Sequence, residues 1–555
     1  MQTSDPRHDV ARGGVLAKDL DQLPNDALPS AETPCSTDGP DALDKSAVGR
    51  LGRQRPAILS SATIEVAYIS TIVLSMMMSE YFISGFFLCL PPISVALDIP
   101  ASEQTWPAGV INLTTAAFLL PCARLCDRFG ARIVFLSGHV WLVVWSVAIG
   151  FSSSSITLIV CRAMQGLGAS AFVPAGLALL GHTYRPGPRK NLVFAIYGAF
   201  ACIGFYFGIL MGAISSQFLD WRWYFWIGAM LGAAVAASGL VTIPRQFGTS
   251  DKSVKMDWLG LITIVPGLVL VVFAFTDGGH APDGWATPYI YVTLIVGLLF
   301  LSIAVYIEGW VAANPFLPAD LFRPKGMRRL VVALFACYGV FGLYLFYATF
   351  YLERILHTSP IQTAAWFTPM AVGGIFLAIS GGLVLHIFSG RVLMIISGSG
   401  FVISCLLFAL MPTQEDNSPS TSFLYWAYVF PAMLCATLGV DVTFNVTNVF
   451  ITTAMPDRLQ AAASGLINSI LYLGIAFWLG IGEMAVSTTV RSRGEGSMDL
   501  REQYQIGFWV GVGLAALALC LTVTISLGRA SAELTADEKA QVGESGETSE
   551  GRDAI

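Results

Sequence analysis

Three ionisable residues sit where water is scarce. Arg162 lies about two turns inside an uncharged run near 156–181. Glu80 lies in the middle of a run near 64–89, with Ser84 one turn on. Asp441 lies inside a run near 423–450. Arg162 is the one lysine or arginine placed well within such a run. A charge at the centre of a bilayer costs about 2.5–3.5 kcal/mol on insertion scales, so an intramembrane charge is by default read as functional. A carboxyl removed from water takes up a proton more readily than an exposed one. Arg162, Asp441 and Glu80 are therefore candidates for proton coupling. The plain alternatives are a structural arginine capping carbonyls or snorkelling outward, and acids held for packing.

Asp441 has company. Thr437, Asp441, Asn445 and Asn448 recur at i, i+4, i+8 and i+11, one face of a helix. Polar stripes can simply glue helices together, but a carboxylate costs more than glue requires. The stripe is read as the wall of a water-lined cavity. Asn468, with Ser464 and Tyr472 on its face, is the expected opposing wall.

The elements that must hold these residues follow from composition. The chain has 555 residues, 55% hydrophobic and 12% charged, with mean hydropathy +0.66. That is about half the charge of a soluble globular chain, and too little to supply one with a polar surface. A helix needs about 20 apolar residues to cross the hydrocarbon layer, and fourteen runs of that length can be counted, the first near 64–89 and the last near 505–527. Runs this long are helices, not barrel strands. The expectation is an all-α protein with fourteen transmembrane helices in the lipid bilayer. The first run begins too far from Met1 for a cleavable signal and should act as an anchor. The ten cysteines are scattered, nine in or beside apolar runs, and read as small apolar residues.

Lysines and arginines gather in alternate connections: Arg128 and Arg132, then Arg185, Arg189 and Lys190, then Arg323, Lys325, Arg328 and Arg329. By the positive-inside rule these face the cytoplasm. An even span count puts both termini there, in a multi-pass protein whose default home is the plasma membrane. Arg491, Arg493 and Arg501, before the last run, break the pattern. Residues 1–60 and 528–555 have the composition of disordered cytoplasmic tails. Between them the reading places a six-helix bundle at 64–245, two extra spans at 257–310, and a second bundle at 329–527. A faint echo supports duplication: Ala123, Asp127 and Arg132 close the second run with the spacing that Gly382, His386 and Arg391 repeat after the tenth.

The stretch "ARLCDRFGAR", Ala123 to Arg132, explains its arginines by orientation. It does not so explain Asp127 at a helix C-terminus, where an acid is unfavourable without a partner. Asp127 is read as a latch that pairs in one conformation only. The stretch resembles G-x-x-x-D-R-x-G-R-[RK], the loop between spans 2 and 3 of the major facilitator superfamily, through Asp127, Arg128, Gly130 and Arg132. Ala123 and Ala131 depart from it. The resemblance implies a gating loop that holds the inward side closed in the outward-facing state. "CRAMQGLGAS" resembles the span-4 motif R-x-x-Q-G-x-G-A through Arg162, Gln165, Gly166 and Gly168, and implies a proton-coupling arginine. "GAFACIGFYFGILMG" resembles the span-5 antiporter motif through Gly198, Gly204 and Gly208, with Phe205 in place of its proline. "DWRW" and "DWLG", with the two extra spans, resemble the 14-span drug:proton antiporter family. "QTWPAGVINLTTAAFLL" and "HTYRPGPRKN" are similar to its fungal branch.

Gly204, Gly208 and Gly212 repeat every fourth residue and, with Gly198, read as a helix-packing motif. Tyr344, Tyr347 and Tyr351 form one face of span 9, either packing or a wall for a partly apolar ligand. Gln165, Asn445, Asn448, Asn468, Tyr344 and Tyr347 are taken as candidate cavity residues. The resemblance implies a major facilitator fold of two six-helix bundles plus two central helices. It implies proton-coupled efflux of a small organic toxin, drug or secondary metabolite by alternating access. Import of a siderophore, ion or nutrient stays open, as does a non-transporting sensor. No G-x-x-x-x-G-K-[ST] loop is present, so ATP is not an expected partner. Neither enzyme activity, nucleic acid, metal nor cofactor is expected.

Overall fold

The computed structural model describes residues 54–100, 103–184, 188–248, 255–412, 420–455, 457–494 and 496–525. Most of the two tails lies outside them. Residues 54–60 are described, and there Leu59 is buried. The side chains of 381–386, which include the Gly382–His386 echo, also fall outside the described set.

Fourteen helices among the described residues are long and apolar enough to cross a membrane, and no strand occurs among those residues. They are α1 (Ala62–Ala96), α2 (Thr105–Phe129), α3 (Ala131–Gly150), α4 (Ser155–Thr183), α5 (Pro188–Phe218), α6 (Arg222–Thr242) and α7 (Trp258–Asp277). Next come α8 (Pro288–Tyr306, continued by a π turn Ile307–Val311) and α9 (Met327–Phe350, continued by a π turn Tyr351–Ile355). Then follow α10 (Thr368–Ile387, preceded by the short helix Pro360–Trp366), α11 (Gly390–Ala409), α12 (Phe430–Ala454), α13 (Asp457–Arg493) and α14 (Leu500–Val523). The side from which α1 starts and on which α14 ends is called the near side below, and the opposite one the far side.

In lipid every backbone group must be satisfied within the segment, and the ends are closed by the side chains the sequence offers. Ser61, Ser154, Asp257, Ser389 and Asp499 cap the starts of α1, α4, α7, α11 and α14. The Asp257 cap is the first residue of "DWLG". In "DWRW", Asp220 accepts from the Arg222 backbone N–H at 2.9 Å and pairs with its guanidinium at 3.1 Å, which fixes the entry to α6.

The packing has two centres. One joins α1 with α5 and α6, and α4 with α2 and α3. The other joins α9 with α13 and α14, and α11 with α12 and α14. They meet where α2 packs on α13 and α5 on α10. The extra helix α7 lies against α2 and α13, and α8 packs on α7. This is the arrangement that the motif resemblance implies, with two added helices.

Candidate functional site

The two intramembrane acids come together. Glu80 on α1 and Asp441 on α12 stand within electrostatic range of each other, one from each packing centre. The Cys202 thiol of α5 donates to Asp441 at 3.6 Å, and Gly374 of α10 lies against the Asp441 carboxyl. Tyr197 and Tyr472 lie within electrostatic range of Glu80, and the Tyr472 hydroxyl meets Ser79 at 3.3 Å, joining α13 to α1. Neither carboxyl has an ion pair among the described residues. Both are half-buried.

Polar residues continue from this pair toward the near side. Asn445 and Asn448 stand one and two turns along α12, and Asn468 one turn from Tyr472 on α13; all three are half-buried. Asn448 and Asn468 each donate to the backbone one turn back. Gly198 on α5 has no atom within 4 Å of where a Cβ would stand. Toward the far side the two centres are joined instead. Tyr206 and Thr368 share a 2.7 Å hydrogen bond, Ile361 N–H donates to Gln217 at 3.0 Å, and Phe205 packs on Phe341 and Phe87 on Phe346.

Arg162 is fully buried, at 0% exposure. It donates to the Pro107 carbonyl of α2 at 3.2 Å, to the Phe82 carbonyl of α1 at 2.9 Å, and to Gln165 at 3.3 Å. Its guanidinium lies 3.6 Å from the Phe86 ring centroid, a geometry that suits cation–π attraction. Gln165 in turn donates to Ser146 of α3 at 2.8 Å. Arg162 therefore ties four helices at one point without a carboxylate, and its Nη2 has no hydrogen-bond partner. Gln165 is enclosed as part of this tie. Arg162 thereby acts on the residues just past Glu80 on α1.

The loop between α2 and α3 is a single residue, Gly130, with φ +90°. That backbone region suits glycine alone, which is the physical reason for glycine between the two arginines. Arg132 donates to the Leu240 carbonyl of α6 at 3.0 Å, and Arg128 lies over Phe129. Arg124 reaches the Pro315 carbonyl at 2.7 Å. Asp127 is exposed on the near side.

The glycines of α5 divide. Gly204 abuts Met77, Gly208 abuts Tyr81 and Ser84, and Gly212 abuts the Gly85 backbone, so the α1 and α5 backbones touch. Gly198 faces open space. Tyr344, Tyr347 and Tyr351 of α9 are buried in packing, whereas Tyr338 of the same helix lies within electrostatic range of Asp441. Tyr344 donates to the Met433 sulfur at 3.3 Å and packs edge-on against Phe408, and Tyr351 packs on Phe408 and Phe508. The stripe meets α11, α12 and α14, because that apolar surface is where its rings can be buried. Tyr347 lies farther along α9, against Tyr504 and Phe508.

Three acids went unremarked in the sequence. Glu65, buried at the start of α1, receives bonds from Arg189 at 2.8 Å and Tyr184 at 3.0 Å and ties α1 to the near ends of α4 and α5. Glu353 and Glu483 lie at the far ends of α9 and α13. Each sits in or beside an apolar run, the same signal that singled out Glu80.

Buried ionisable residues on facing helices of a bundle whose halves meet along few seams describe a carrier of solutes. The Major Facilitator Superfamily profile matches residues 71–479, and the chain belongs to that superfamily. It is 30% identical to the efflux pump terJ of Aspergillus terreus over 85% of this chain and 90% of that one. It is 31% identical to the low affinity ammonium transporter of Saccharomyces cerevisiae over 74% and 78%. It is 26% identical to the major facilitator superfamily multidrug transporter mdr3 of Aspergillus fumigatus over 69% and 65%. Among solved structures, the peptide transporter POT shares the fold at TM-score 0.56 with 15% identity, covering 87% of this chain and 97% of that one. The protein is a multi-pass membrane transporter, in a family of carriers and not of enzymes.

Proposed function

We propose that the protein is a proton-coupled exporter of small organic molecules, working by alternating access, with the Glu80–Asp441 pair as its coupling centre. The observation that carries this is the pair itself: one carboxyl from each packing centre, within electrostatic range of each other, with no basic partner among the described residues. Two like charges in a low-dielectric site repel strongly. A proton or a cationic group between them removes the repulsion and lets the two halves close on that point. Releasing it drives them apart. The occupancy of one small site thereby biases two arrangements of the whole bundle, which is what coupling requires.

The arrangement described here is closed toward the far side and polar toward the near side. With the near side cytoplasmic, as the arginine distribution indicates, substrate enters past Asn445, Asn448 and Asn468. Arg162 keeps α1 in register with α2 and α4, so that Glu80 moves with its half. Asp127, exposed in this arrangement, is free to pair when the near side closes. Similarity to efflux pumps supports export of a toxin, drug or secondary metabolite. The ammonium transporter relative supports a second reading, import of a small cation through the same centre.

Inside-out vesicles with an imposed proton gradient separate the two. Export predicts accumulation of an organic substrate that collapses with the gradient. Import predicts gradient-driven uptake in right-side-out vesicles only.

A further inference from the structure

A cavity of about 550 Å³ opens on the far side, and neither Glu80 nor Asp441 lines it. Its wall draws on Gln104 before α2, the 279–282 segment between α7 and α8, and the far ends of α9, α13 and α14. That volume is in the range of sites for drug-sized ligands.

Its polar groups are not settled. Glu483, only 6% exposed, faces His280 Nε2 at 2.9 Å through one carboxylate oxygen, and its other oxygen takes no hydrogen bond among the described residues. The Tyr347 hydroxyl, on a side chain 2% exposed, has no partner at all. Unsatisfied buried polar groups cost stability unless something arrives to pair them. Arg491, two turns along α13 from Glu483, is already committed, since it donates to the Ala281 carbonyl at 2.9 Å and to that of Pro282. What remains open is acceptor chemistry: the second Glu483 oxygen and the Tyr347 phenol oxygen. Beside them stand the rings of Phe346, Phe350 and Tyr504.

We infer that this vestibule is a second binding site, for an organic amine carrying an apolar or aromatic body. The ammonium donates to Glu483 and Tyr347, and the body lies on the aromatic wall, which also favours a cation. An organic anion lacks the donors and meets the Glu483 charge. A neutral alcohol satisfies one acceptor and brings no charge to the carboxylate. The 279–282 segment, held by Arg491 and by Gly279 packed on Ser487, roofs the site. The extra pair α7–α8 thereby gains a task of its own. This site does not rest on the direction or coupling of transport.

The test is equilibrium binding of radiolabelled 2-phenylethylamine to the full-length protein in lipid nanodiscs, in an Asp441→Asn background that removes an acid of the central pair. The expected result is saturable binding, weakened tenfold or more by Glu483→Gln, as for loss of a charged hydrogen-bond partner. Tyr347→Phe, which keeps the packed ring, should weaken it about threefold to tenfold. Phenylethanol and 3-phenylpropanoate should compete at least tenfold less well. Melting temperature without ligand reports folding, and if Glu483→Gln fails to fold, Tyr347→Phe carries the test. Absence of saturable binding in the Asp441→Asn background overturns the proposal. So does wild-type affinity in the folded variants, or equal competition by the acid. A carrier that exports nothing but still binds the amine this way leaves this site standing and removes only the exporter reading.

Discussion

Two alanine substitutions on one helix should have opposite effects. At Gly204 an added Cβ would stand 2.6 Å from Met77 Cα, 2.8 Å from its carbonyl oxygen and 2.9 Å from its Cγ. Ordinary contact begins at 3.4 Å, so the shortfall against backbone is about 0.8 Å. Neither Met77 Cα nor its carbonyl can turn aside, so α1 and α5 must separate or bend. Overpacking of this kind costs about 1–3 kcal/mol. At Gly198 nothing lies within 4 Å, and the change gains only helix propensity, roughly 1 kcal/mol. That gain is common to both sites and cancels in the comparison. Gly204→Ala should therefore be less stable than Gly198→Ala by about 1–3 kcal/mol. Thermal unfolding of the two purified variants in one detergent reads the difference directly. Gly198→Ala should melt at or above the wild type, and Gly204→Ala below Gly198→Ala. Equal melting temperatures, or the reverse order, would refute the close α1–α5 contact. The contact matters for function because α1 carries Glu80 and the Phe82 carbonyl that holds Arg162.

Other outcomes follow from the same geometry. Arg162→Ala should abolish gradient-driven transport while the protein still reaches the membrane, and Arg162→Lys should restore little, because one ammonium cannot reproduce a planar fork bonded to α1, α2 and Gln165; wild-type flux in either would remove its role. Asp441→Asn should flatten the pH dependence of transport, and an unchanged profile would make the acid structural. Asp127→Ala should leave the unfolding free energy within about 0.5 kcal/mol of wild type, as for exposed positions, while slowing turnover more than it weakens substrate affinity; the opposite split would sink the latch. Tyr344→Phe removes one bond to sulfur and no cavity contact, so substrate affinity should stay within about twofold, measured by concentration dependence of flux.

What the sequence made legible was one-dimensional. Apolar run length gave all fourteen helices, because the bilayer sets a minimum that hydropathy reports. Gly130 was legible only as a position of the loop motif; that a one-residue turn between two helices demands its positive φ is visible in the structure. Intramembrane charge picked out Arg162, Glu80 and Asp441 singly. That Glu80 meets Asp441 was not legible. They lie on the first and twelfth helices, and no periodicity links residues on helices so far apart in the chain. The tyrosine face of α9 was legible as a face, but its direction depends on where Phe408 and Phe508 stand. The four-residue glycine repeat was visible, yet only the packing separates Gly198 from its three neighbours. Glu483 carried the same signal as Glu80, an acid within an apolar run. Its importance comes from His280 and Tyr347, which two other segments bring to it.

The measurement that tests the central claim most directly is gradient-driven accumulation in inside-out proteoliposomes, for the wild type, Glu80→Gln, Asp441→Asn and the double variant. A panel of labelled organic compounds supplies the substrate. If the two carboxyls act as one coupling centre, the wild type accumulates substrate until the gradient is dissipated. Each single variant then loses that accumulation, and the double variant is no worse than either. Gradient-driven accumulation that survives Asp441→Asn, or losses that simply add in the double variant, would contradict the account.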